Sequence, residues 1–310
     1  MFQQLTVHIG HQKTGTTSLQ ETFRINSRKL AKAGLFYWSG HGAHHPLAKS
    51  HNPRTANTTN RHTTQRFLKA ARRSRVPRGL ISSEIFVNLT GDDVAQFAKT
   101  IGPLAQDIEI VMYVRHPVAT VASRVHQGLR MGRRLEDAHA MASVVPLDRI
   151  IPRWQRVFGD DRVHVRPFDR AALRDGDVVT DMMHHLGLAH LAFAPLHLNE
   201  GFSVVGAHAL DRAVAKEGGK LSKHARAHFE AMEGPRYVPP QRVLDDAAVL
   251  GAAQLAYLDE AFGITLPTPK LTPSGPPTLD DAALDALAAE AMRAPTTRNV
   301  LGRLMAPLRR

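Results

Sequence analysis

A lysine, a glycine and three threonines lie close together near the N-terminus, in a spacing that suits phosphate binding. They follow a short apolar run at 5–9 and belong to the segment Gln12, Lys13, Thr14, Gly15, Thr16 and Thr17. In a strand–loop–helix unit, loop N–H groups and the positive helix end converge on an anion, and a lysine adds a full charge. The threonine hydroxyls can donate further hydrogen bonds, and Gly15 permits a positive φ. The segment therefore predicts a phosphate-binding loop between a first strand and a first helix.

The same segment differs at one position from the loop of ATPases and kinases. Gly10 and Gly15 have the spacing of that motif, but its Gly-Lys-Ser/Thr ending is replaced by Gly15-Thr16-Thr17, and the lysine lies inside the loop at Lys13. The order Lys-Thr-Gly-Thr-Thr after a first strand instead resembles the 5′-phosphosulfate loop of sulfotransferases that use 3′-phosphoadenosine-5′-phosphosulfate (PAPS). A P-loop nucleotide-binding protein or kinase-like NTPase without sulfuryl transfer is the alternative.

A second segment resembles the PAPS-dependent sulfotransferases in its residue types and in their spacing. Residues 108–114 form a β-rich run that is followed by Arg115, and Ser123 lies eight residues further on, in a helical pattern that starts at Pro117. The planar fork of an arginine suits a bidentate contact with phosphate. The resemblance implies that Arg115 and Ser123 hold the 3′-phosphate of PAPS.

A carboxylate belongs to another predicted strand. Residues 79–86 have the pattern of a buried strand, and Glu84 lies in its C-terminal part, at the end where open α/β sheets bind ligands. Carbohydrate-type sulfotransferases, the branch that the sequence resembles most, place a glutamate after the second strand as the base that deprotonates the acceptor. The cytosolic small-molecule branch more often uses a histidine. The resemblance thus implies a catalytic Glu84, and a structural glutamate that caps the next turn is the alternative.

The segment 37–61 combines Gly, Asn, Thr and Pro with four histidines, namely His41, His44, His45 and His51. We expect an irregular lid or acceptor-binding loop here, in which His45 or a neighbour hydrogen-bonds the acceptor. A solvated loop without a role is the alternative. No carboxylate partners and no helical H-x-x-x-H pattern accompany these histidines, so we expect no metal.

The resemblance implies transfer of a sulfuryl group from PAPS to a hydroxyl or amine of an acceptor, with adenosine 3′,5′-bisphosphate as the product. Lys13 would stabilise charge on the leaving oxygen, and Glu84 would take the proton of the acceptor. Gln12, residues 13–17, Arg115 and Ser123 would fix the cosubstrate. Positioning and electrostatics would supply most of the catalysis. The glutamate-type base favours a glycan or glycoconjugate acceptor, and a small molecule remains open.

The amino-acid composition limits the other sites, partners and locations that the protein could have. The chain has 310 residues, no cysteine and a net charge of +12, so disulfides, thiolate nucleophiles and Cys-based zinc sites are absent. A basic chain suggests nucleic acid, but no zinc finger, helix-turn-helix or aromatic RNA-binding motif accompanies the charge. Solubility, or a positive field for an anionic cosubstrate and acceptor, explains it instead. No apolar run approaches the ~20 residues of a membrane span and no signal peptide is apparent, so we expect a cytoplasmic location.

Strand and helix patterns alternate along the chain, which predicts an α/β protein with a mainly parallel central sheet in three layers, similar to P-loop NTPases, and a helical C-terminal part. Trp154 is expected in the core rather than against the cosubstrate. We expect a sulfotransferase-like α/β domain at 1–265, a proline-rich linker at 266–278 and a helical tail at 279–310. The basic tail could contact a protein partner or, peripherally, an anionic membrane surface.

Overall fold

Five parallel strands form the central sheet of the computed structural model, which describes residues 1–40, 43–193, 201–218 and 221–293. The strands are Phe2–His8 (β1), Leu35–Tyr37 (β2), Arg78–Ser82 (β3), Ala105–Val114 (β4) and Val163–Pro167 (β5). The helices are Thr16–Ile25 (α1), Ser27–Lys32 (α2), His45–His51 (α3), Thr58–Arg73 (α4), Gly91–Ile101 (α5), Pro117–Arg130 (α6), Leu135–Ala140 (α7), Leu147–Phe158 (α8), Val178–His185 (α9), Val204–Glu217 (α10), Lys223–Glu230 (α11), Gln241–Phe262 (α12) and Asp281–Arg293 (α13). Strands and helices therefore alternate through β5, and the C-terminal part is helical.

The strand order in the sheet is β2-β3-β1-β4-β5, and every neighbouring pair is parallel. β1 therefore lies in the middle, with β3 on one side and β4 on the other. Because the strands run in the same direction, their carboxyl ends meet at one edge, where His8, Ser82 and Val114 end the three central strands. Ligands bind at this edge in open α/β sheets. The mainly parallel sheet predicted from the sequence is confirmed.

Alternate residues of the strands pack into two apolar clusters on opposite faces of the sheet. In β4, Ile110 and Met112 join a cluster with residues of α3, α4, α5, α8 and α12, whereas Val111 and Tyr113 join one with residues of α1, α2 and α9. Trp154 of α8 is fully buried in the first cluster, which confirms its expected core position. Helices on both faces of the sheet give the predicted three-layered architecture.

The chain divides into two compact units by its internal contacts. The first consists of Met1–His116, Val145–Leu198 and Gly251–Thr268, and the second of Pro117–Val144, Asn199–Leu250 and Pro269–Arg310. In the described part of the second unit, α6, α7, α10, α11 and α13 share an apolar cluster. Arg212 of α10 also bonds Asp281 and Asp285 of α13. The tail helix therefore packs within the second unit, and the unit limits differ from the predicted domain limits.

The histidine-rich segment 37–61 is more regular than expected, because it contains α3 and the start of α4. His44, which precedes α3, is bonded through both ring nitrogens. Its Nδ1 accepts a hydrogen bond from the N–H of Ser82, and its Nε2 lies 3.0 Å from the carbonyl oxygen of Trp38. These contacts attach the segment to the end of β3, a tertiary effect that composition does not reveal.

Two predicted features lie partly or wholly outside the described residues: the tail from 294 to 310, and His41. The proline-rich segment 266–278 has neither helix nor strand, and its role as a linker stays a prediction. In the ranges that the structure describes, no helix combines the length and apolar character needed to cross a membrane.

A carboxylate of α9 ties that helix to the sheet. Asp181 accepts a 2.6 Å hydrogen bond from the hydroxyl of Tyr113 in β4 and two bonds of 2.9 Å from the guanidinium of Arg166 in β5. It also accepts one of 3.2 Å from the N–H of Arg174. Burial acts to raise the pKa of Asp181, but the bonds from Arg166 and Tyr113 outweigh it and lower the pKa. The ionised carboxylate therefore joins two strands and a helix.

We expect Asp181→Ala to lower the free energy of unfolding by about 2–3 kcal/mol, because it leaves the Tyr113 hydroxyl and the Arg166 guanidinium without their shared acceptor. Tyr113→Phe removes only the neutral donor and should cost about 1 kcal/mol. Urea unfolding followed by circular dichroism measures both values. An Asp181→Ala variant within about 0.5 kcal/mol of the wild type would contradict the assigned role.

Candidate active site

The segment between β1 and α1 turns through three residues with positive φ, namely Gly10 (52°), Lys13 (71°) and Gly15 (71°). Left-handed residues in such a turn direct successive N–H groups to one side, which creates an anion-binding concavity. Gly15 is also the N-cap of α1, and no described side chain caps this helix. The first turn of α1 carries no acidic residue, so its positive end is not offset there. This backbone conformation is compatible with the predicted phosphate-binding loop, whose ligand stays a prediction.

Lys13 adopts a conformation that is unfavourable for a residue with a Cβ, by about 1 kcal/mol. Its carbonyl accepts a 3.0 Å hydrogen bond from Nη1 of Arg115, which follows β4. The guanidinium of Arg115 lies 5.5 Å from the ring centroid of Phe168. That ring packs against Gly15, where a Cβ would come within 3.2 Å of it. Arg115 thus holds the strained turn, and the structure brings Lys13 and Arg115 together.

The loop threonines have different surroundings. Thr14 is buried and donates its hydroxyl proton to the carbonyl oxygen of His11 at 2.6 Å. Its hydroxyl therefore stabilises the turn itself, whereas the sequence suggested a contact with phosphate. Thr16 begins α1 and is buried, and Thr17 is exposed. Gln12 is partly exposed.

Glu84 lies directly beside this loop. β3 ends at Ser82, and a short 3₁₀ helix begins at Glu84. The backbones approach so closely that a Cβ at Gly10 would lie 3.1 Å from the Cα of Glu84. Ser83 caps the 3₁₀ helix, because its hydroxyl accepts a hydrogen bond from the N–H of Ile85. The capping role considered for Glu84 thus belongs to its neighbour.

Two side chains contact the carboxylate of Glu84. Gln20 of α1 donates a hydrogen bond from Nε2 to Oε2 at 3.0 Å. Nε2 of His45, the first residue of α3, lies 3.6 Å from Oε1. The other ring nitrogen of His45, Nδ1, is 2.7 Å from the hydroxyl of Ser83, so the ring is oriented from both sides. The structure therefore brings His45 and Glu84 together, and it leaves both partly exposed, at 27% and 21% of their side-chain surface.

The neighbouring histidines are engaged in protein contacts. His44 bonds the backbone of Ser82, as described above, and Nε2 of His51 lies 2.9 Å from the hydroxyl of Thr100. Among the described residues, no three His, Asp or Glu side chains are placed to share a metal ion. His44 and His51 therefore have structural contacts, and His45 is the histidine of α3 that faces the carboxylate.

A buried polar chain connects Glu84 to the end of β1. Nε2 of Gln20 lies 3.3 Å from the hydroxyl of Ser82, and that hydroxyl lies 2.9 Å from Nδ1 of the fully buried His8. Gln20 was not among the residues predicted from the sequence. Its spacing of four from Thr16, on one face of the helix that carries the loop, is a signal that could have found it. Gln20 positions the Glu84 carboxylate from that helix.

Ser123 lies in α6, nearly two turns after Pro117. The helix start predicted at Pro117 is confirmed, and the side chain of Ser123 is partly exposed. Arg115 belongs to the first compact unit and Ser123 to the second. A joint role of these two residues at a 3′-phosphate stays a prediction.

Fold and loop together define a parallel α/β protein with a phosphate-type turn between β1 and α1. The structure is similar to two solved bacterial ones. A sulfotransferase from Alicyclobacillus acidocaldarius matches at 16% identity over 86% of this chain and 97% of that one, with a TM-score of 0.48. The sulfotransferase domain of the Synechococcus PCC 7002 olefin synthase matches at 14% identity over 86% and 96%, with a TM-score of 0.37. No family model and no curated protein matches the chain.

The buried His8 makes stability depend on pH. Burial lowers the pKa of His8 from 6.5 to about 3. Between these values the unfolded chain binds a proton that the folded chain does not. The stability is therefore fully present above pH 6.5 and falls as the pH is lowered towards about 3. We expect His8→Gln to reduce the slope of the unfolding free energy against pH by about 1.4 kcal/mol per pH unit within this window.

Urea unfolding at several pH values checks this slope. The matched control is His184→Gln, which changes an exposed histidine of α9 and should leave the slope as in the wild type. Parallel curves for the wild type and His8→Gln would show that His8 is not the group responsible.

Proposed function

We propose that this protein is a sulfotransferase that transfers a sulfuryl group from PAPS to a hydroxyl, or an amine, of an acceptor. The observation that carries the proposal is the placement of Glu84. Its carboxylate lies beside a phosphate-type loop that contains Lys13, and Gln20 and His45 contact it from two sides. A general base next to a phosphate loop suits a group transfer that begins with loss of a proton from an acceptor.

The donor would be fixed at its two charged ends. The loop N–H groups, Gln12, Lys13, Thr16 and Thr17 would bind the 5′-phosphosulfate, together with the backbone of Thr14 and Gly15. Arg115 and Ser123 would bind the 3′-phosphate. In this proposal, Lys13, Arg115 and the backbone donors offset the charge of the phosphates, and no metal ion has a role.

The transfer would proceed by in-line displacement at sulfur. Glu84 takes the proton of the acceptor hydroxyl, and the acceptor oxygen forms a bond to the sulfur atom. The bond from sulfur to the bridging phosphate oxygen breaks, and its electron pair leaves with that oxygen on adenosine 3′,5′-bisphosphate. Lys13 stabilises the charge that develops there. His45 faces the carboxylate that takes the proton, and it would also hydrogen-bond the acceptor.

The proposed acceptor is a glycan or glycoconjugate, because a glutamate in the position of Glu84 resembles the carbohydrate-type branch. A small-molecule alcohol is the other acceptor class. A P-loop nucleotide-binding protein or kinase-like NTPase is the alternative function, since it would share the parallel sheet and the spacing of Gly10 and Gly15. Against it, the lysine lies within the turn at Lys13 and not after the second glycine.

Calorimetric titration with adenosine 3′,5′-bisphosphate tests the donor class. We expect the wild type to bind it more tightly than 5′-AMP or ATP, because Arg115 and Ser123 add contacts to the 3′-phosphate. Arg115→Ala should weaken binding by about 10–100-fold through loss of a charge-assisted fork. Ser123→Ala should weaken it by about fivefold and leave 5′-AMP binding unchanged.

The control for this titration is Arg149→Ala, which removes an exposed arginine of α8 and should bind like the wild type. Lys13→Ala should weaken binding of all three nucleotides, since each carries a 5′-phosphate. Equal binding of ATP and the bisphosphate would favour the NTPase alternative, and absence of binding to the bisphosphate would refute the proposal.

The role of Glu84 is tested by transfer of ³⁵S from labelled PAPS to a panel of neutral, amino and uronate oligosaccharides. We expect Glu84→Gln to lower the transfer rate by about 100-fold or more, because the general base is lost. Binding of adenosine 3′,5′-bisphosphate should stay as in the wild type. Glu21→Gln changes a carboxylate that pairs with Arg24 and serves as the control. Transfer by Glu84→Gln at the wild-type rate would exclude it as the base.

A further inference from the structure

The positive charge of this protein is concentrated in one stretch of the chain. Residues 22–83 contain 13 of the 40 Lys and Arg residues and none of the 28 Asp and Glu residues. The rest of the chain, with 27 positive and 28 negative residues, is close to neutral. The net charge of +12 therefore comes from the part of the chain that runs from α1 to the end of β3.

The centre of this stretch is α4. Its buried face consists of Thr64, Phe67 and Ala71. Its cations are exposed and continue just beyond the helix, and we refer to them as the α4 cation face: Arg61, Arg66, Lys69, Arg72, Arg73 and Arg75. From 61 to 73 this face extends about 18 Å along the helix, which is long enough for a linear partner rather than one small anion.

The side chains of the α4 cation face form no ion pair or hydrogen bond with any described residue. Several arginines elsewhere in the described ranges form ion pairs. Arg134 bonds Asp211, Arg162 bonds Asp107, and Arg212 bonds two carboxylates of α13. The difference follows from the sequence, because residues 22–83 supply no carboxylate. Unpaired cations so close to one another repel, and an anionic partner would relieve that repulsion.

The interaction of cations with the helix dipole explains only some of the residues of the α4 cation face. Arg72 and Arg73 lie in the last turn of α4, where cations interact favourably with the helix dipole. Arg61, Arg66 and Lys69 lie before that turn and gain little from the dipole. A surface that served only solubility would not require every charge to have the same sign.

The α4 cation face is connected to the candidate active site through α3. The hydroxyl of Thr64 in α4 lies 3.0 Å from that of Ser50 and 3.3 Å from the carbonyl oxygen of Pro46, both in α3. The same short helix begins with His45, which faces Glu84. α4 therefore packs against the helix whose first residue, His45, belongs to the pair assigned to the acceptor.

The exposed groups of α4 select among anionic partners. Phe67 is fully buried, so α4 exposes no Phe, Tyr or Trp ring on which a nucleic-acid base could stack, and its exposed ring is the smaller imidazole of His62. None of the large apolar side chains that are exposed in the described ranges belongs to α4, whereas a helix that lies on a membrane inserts an apolar face. Hydroxyls and carboxylates of an acidic sugar chain require neither feature.

We propose that the α4 cation face binds an acidic glycan, a chain of uronate-type sugars, and directs it to Glu84 as the acceptor. This inference rests on the proposed sulfotransferase function for the identity of the bound chain as acceptor. The cations hold the carboxylates along α4, and one hydroxyl of the chain is presented beside His45 and Glu84.

Fluorescence anisotropy with labelled alginate oligosaccharides, a uronate chain, tests the proposal on the full protein. The face variant combines Arg66→Gln, Lys69→Gln and Arg73→Gln. The control combines Lys32→Gln, Lys99→Gln and Arg149→Gln, which remove the same charge from exposed positions on α2, α5 and α8. We expect the face variant to raise the dissociation constant at least about tenfold and to reduce the salt dependence by about two to three released ions. The control should stay within about twofold of the wild type.

Equal weakening in the control would overturn the proposal, because net charge alone would then explain binding. Absence of alginate binding, or binding of neutral dextran oligosaccharides with the same strength, would overturn it as well. A larger effect of the face variant on binding to single-stranded DNA or to phosphatidylglycerol vesicles would assign the face to those partners.

Titration with adenosine 3′,5′-bisphosphate separates the glycan-binding proposal from the proposed sulfotransferase function. Both triple variants should bind the bisphosphate as the wild type does. A wild type that binds alginate through the α4 cation face but does not bind the bisphosphate would refute the sulfotransferase function alone.

Discussion

The left-handed turn between β1 and α1 is the constraint on which the candidate site depends. Gly10 and Gly15 adopt positive φ at low cost, whereas Lys13 pays a conformational penalty that the hydrogen bond from Arg115 offsets. The same turn makes two close approaches possible. Glu84 comes against Gly10, where a Cβ would be crowded, and Val178 and Phe168 come against Gly15, where a Cβ would collide with Val178. Glycine at these positions therefore allows Glu84 and the turn to approach closely.

The strand order explains why the site has a cation on one side and a carboxylate on the other. β1 lies between β3 and β4, and all three strands end at the same edge. Arg115 follows β4 and Glu84 follows β3 by two residues, so the loop after β1 lies between them. A parallel sheet thus brings two residues that are 31 positions apart in the chain to strand ends on either side of β1. Gln20 and His45 then contact Glu84 from helices that pack on opposite faces of the sheet.

Sequence reasoning found the residues that follow strands, because apolar β-rich runs are visible and their polar ends are easy to identify. Lys13 and Arg115 were singled out in this way. Glu84 was placed in the C-terminal part of a strand predicted at 79–86, whereas β3 ends at Ser82 and Glu84 begins a 3₁₀ helix. The three-layered parallel fold followed from the alternation of patterns. α3 could not be predicted, because a seven-residue helix in a segment rich in Gly, Asn and Pro has little local signal and is anchored by the ring of His44. The sequence also suggested a phosphate contact for the hydroxyl of Thr14, whereas in the folded turn that hydroxyl donates to the carbonyl oxygen of His11. Such contacts depend on tertiary geometry that a pattern of residue types does not contain.

Electrostatic charge connects the proposed sulfotransferase function with the proposed binding of an acidic glycan. A sulfotransferase that acts on an acidic glycan must bring two polyanions together, since PAPS carries phosphate and sulfate groups and the acceptor carries carboxylates. Salt screens charges beyond about 8–10 Å, so cations remote from the acceptor contribute little, and those beside it contribute most. The 13 Lys and Arg residues between 22 and 83, without one carboxylate, lie in the stretch from α1 to β3, which includes α3, whose first residue, His45, faces Glu84. A chain that needed positive charge only for solubility could distribute it evenly, whereas one that must offset an acidic acceptor near its base needs the distribution found here.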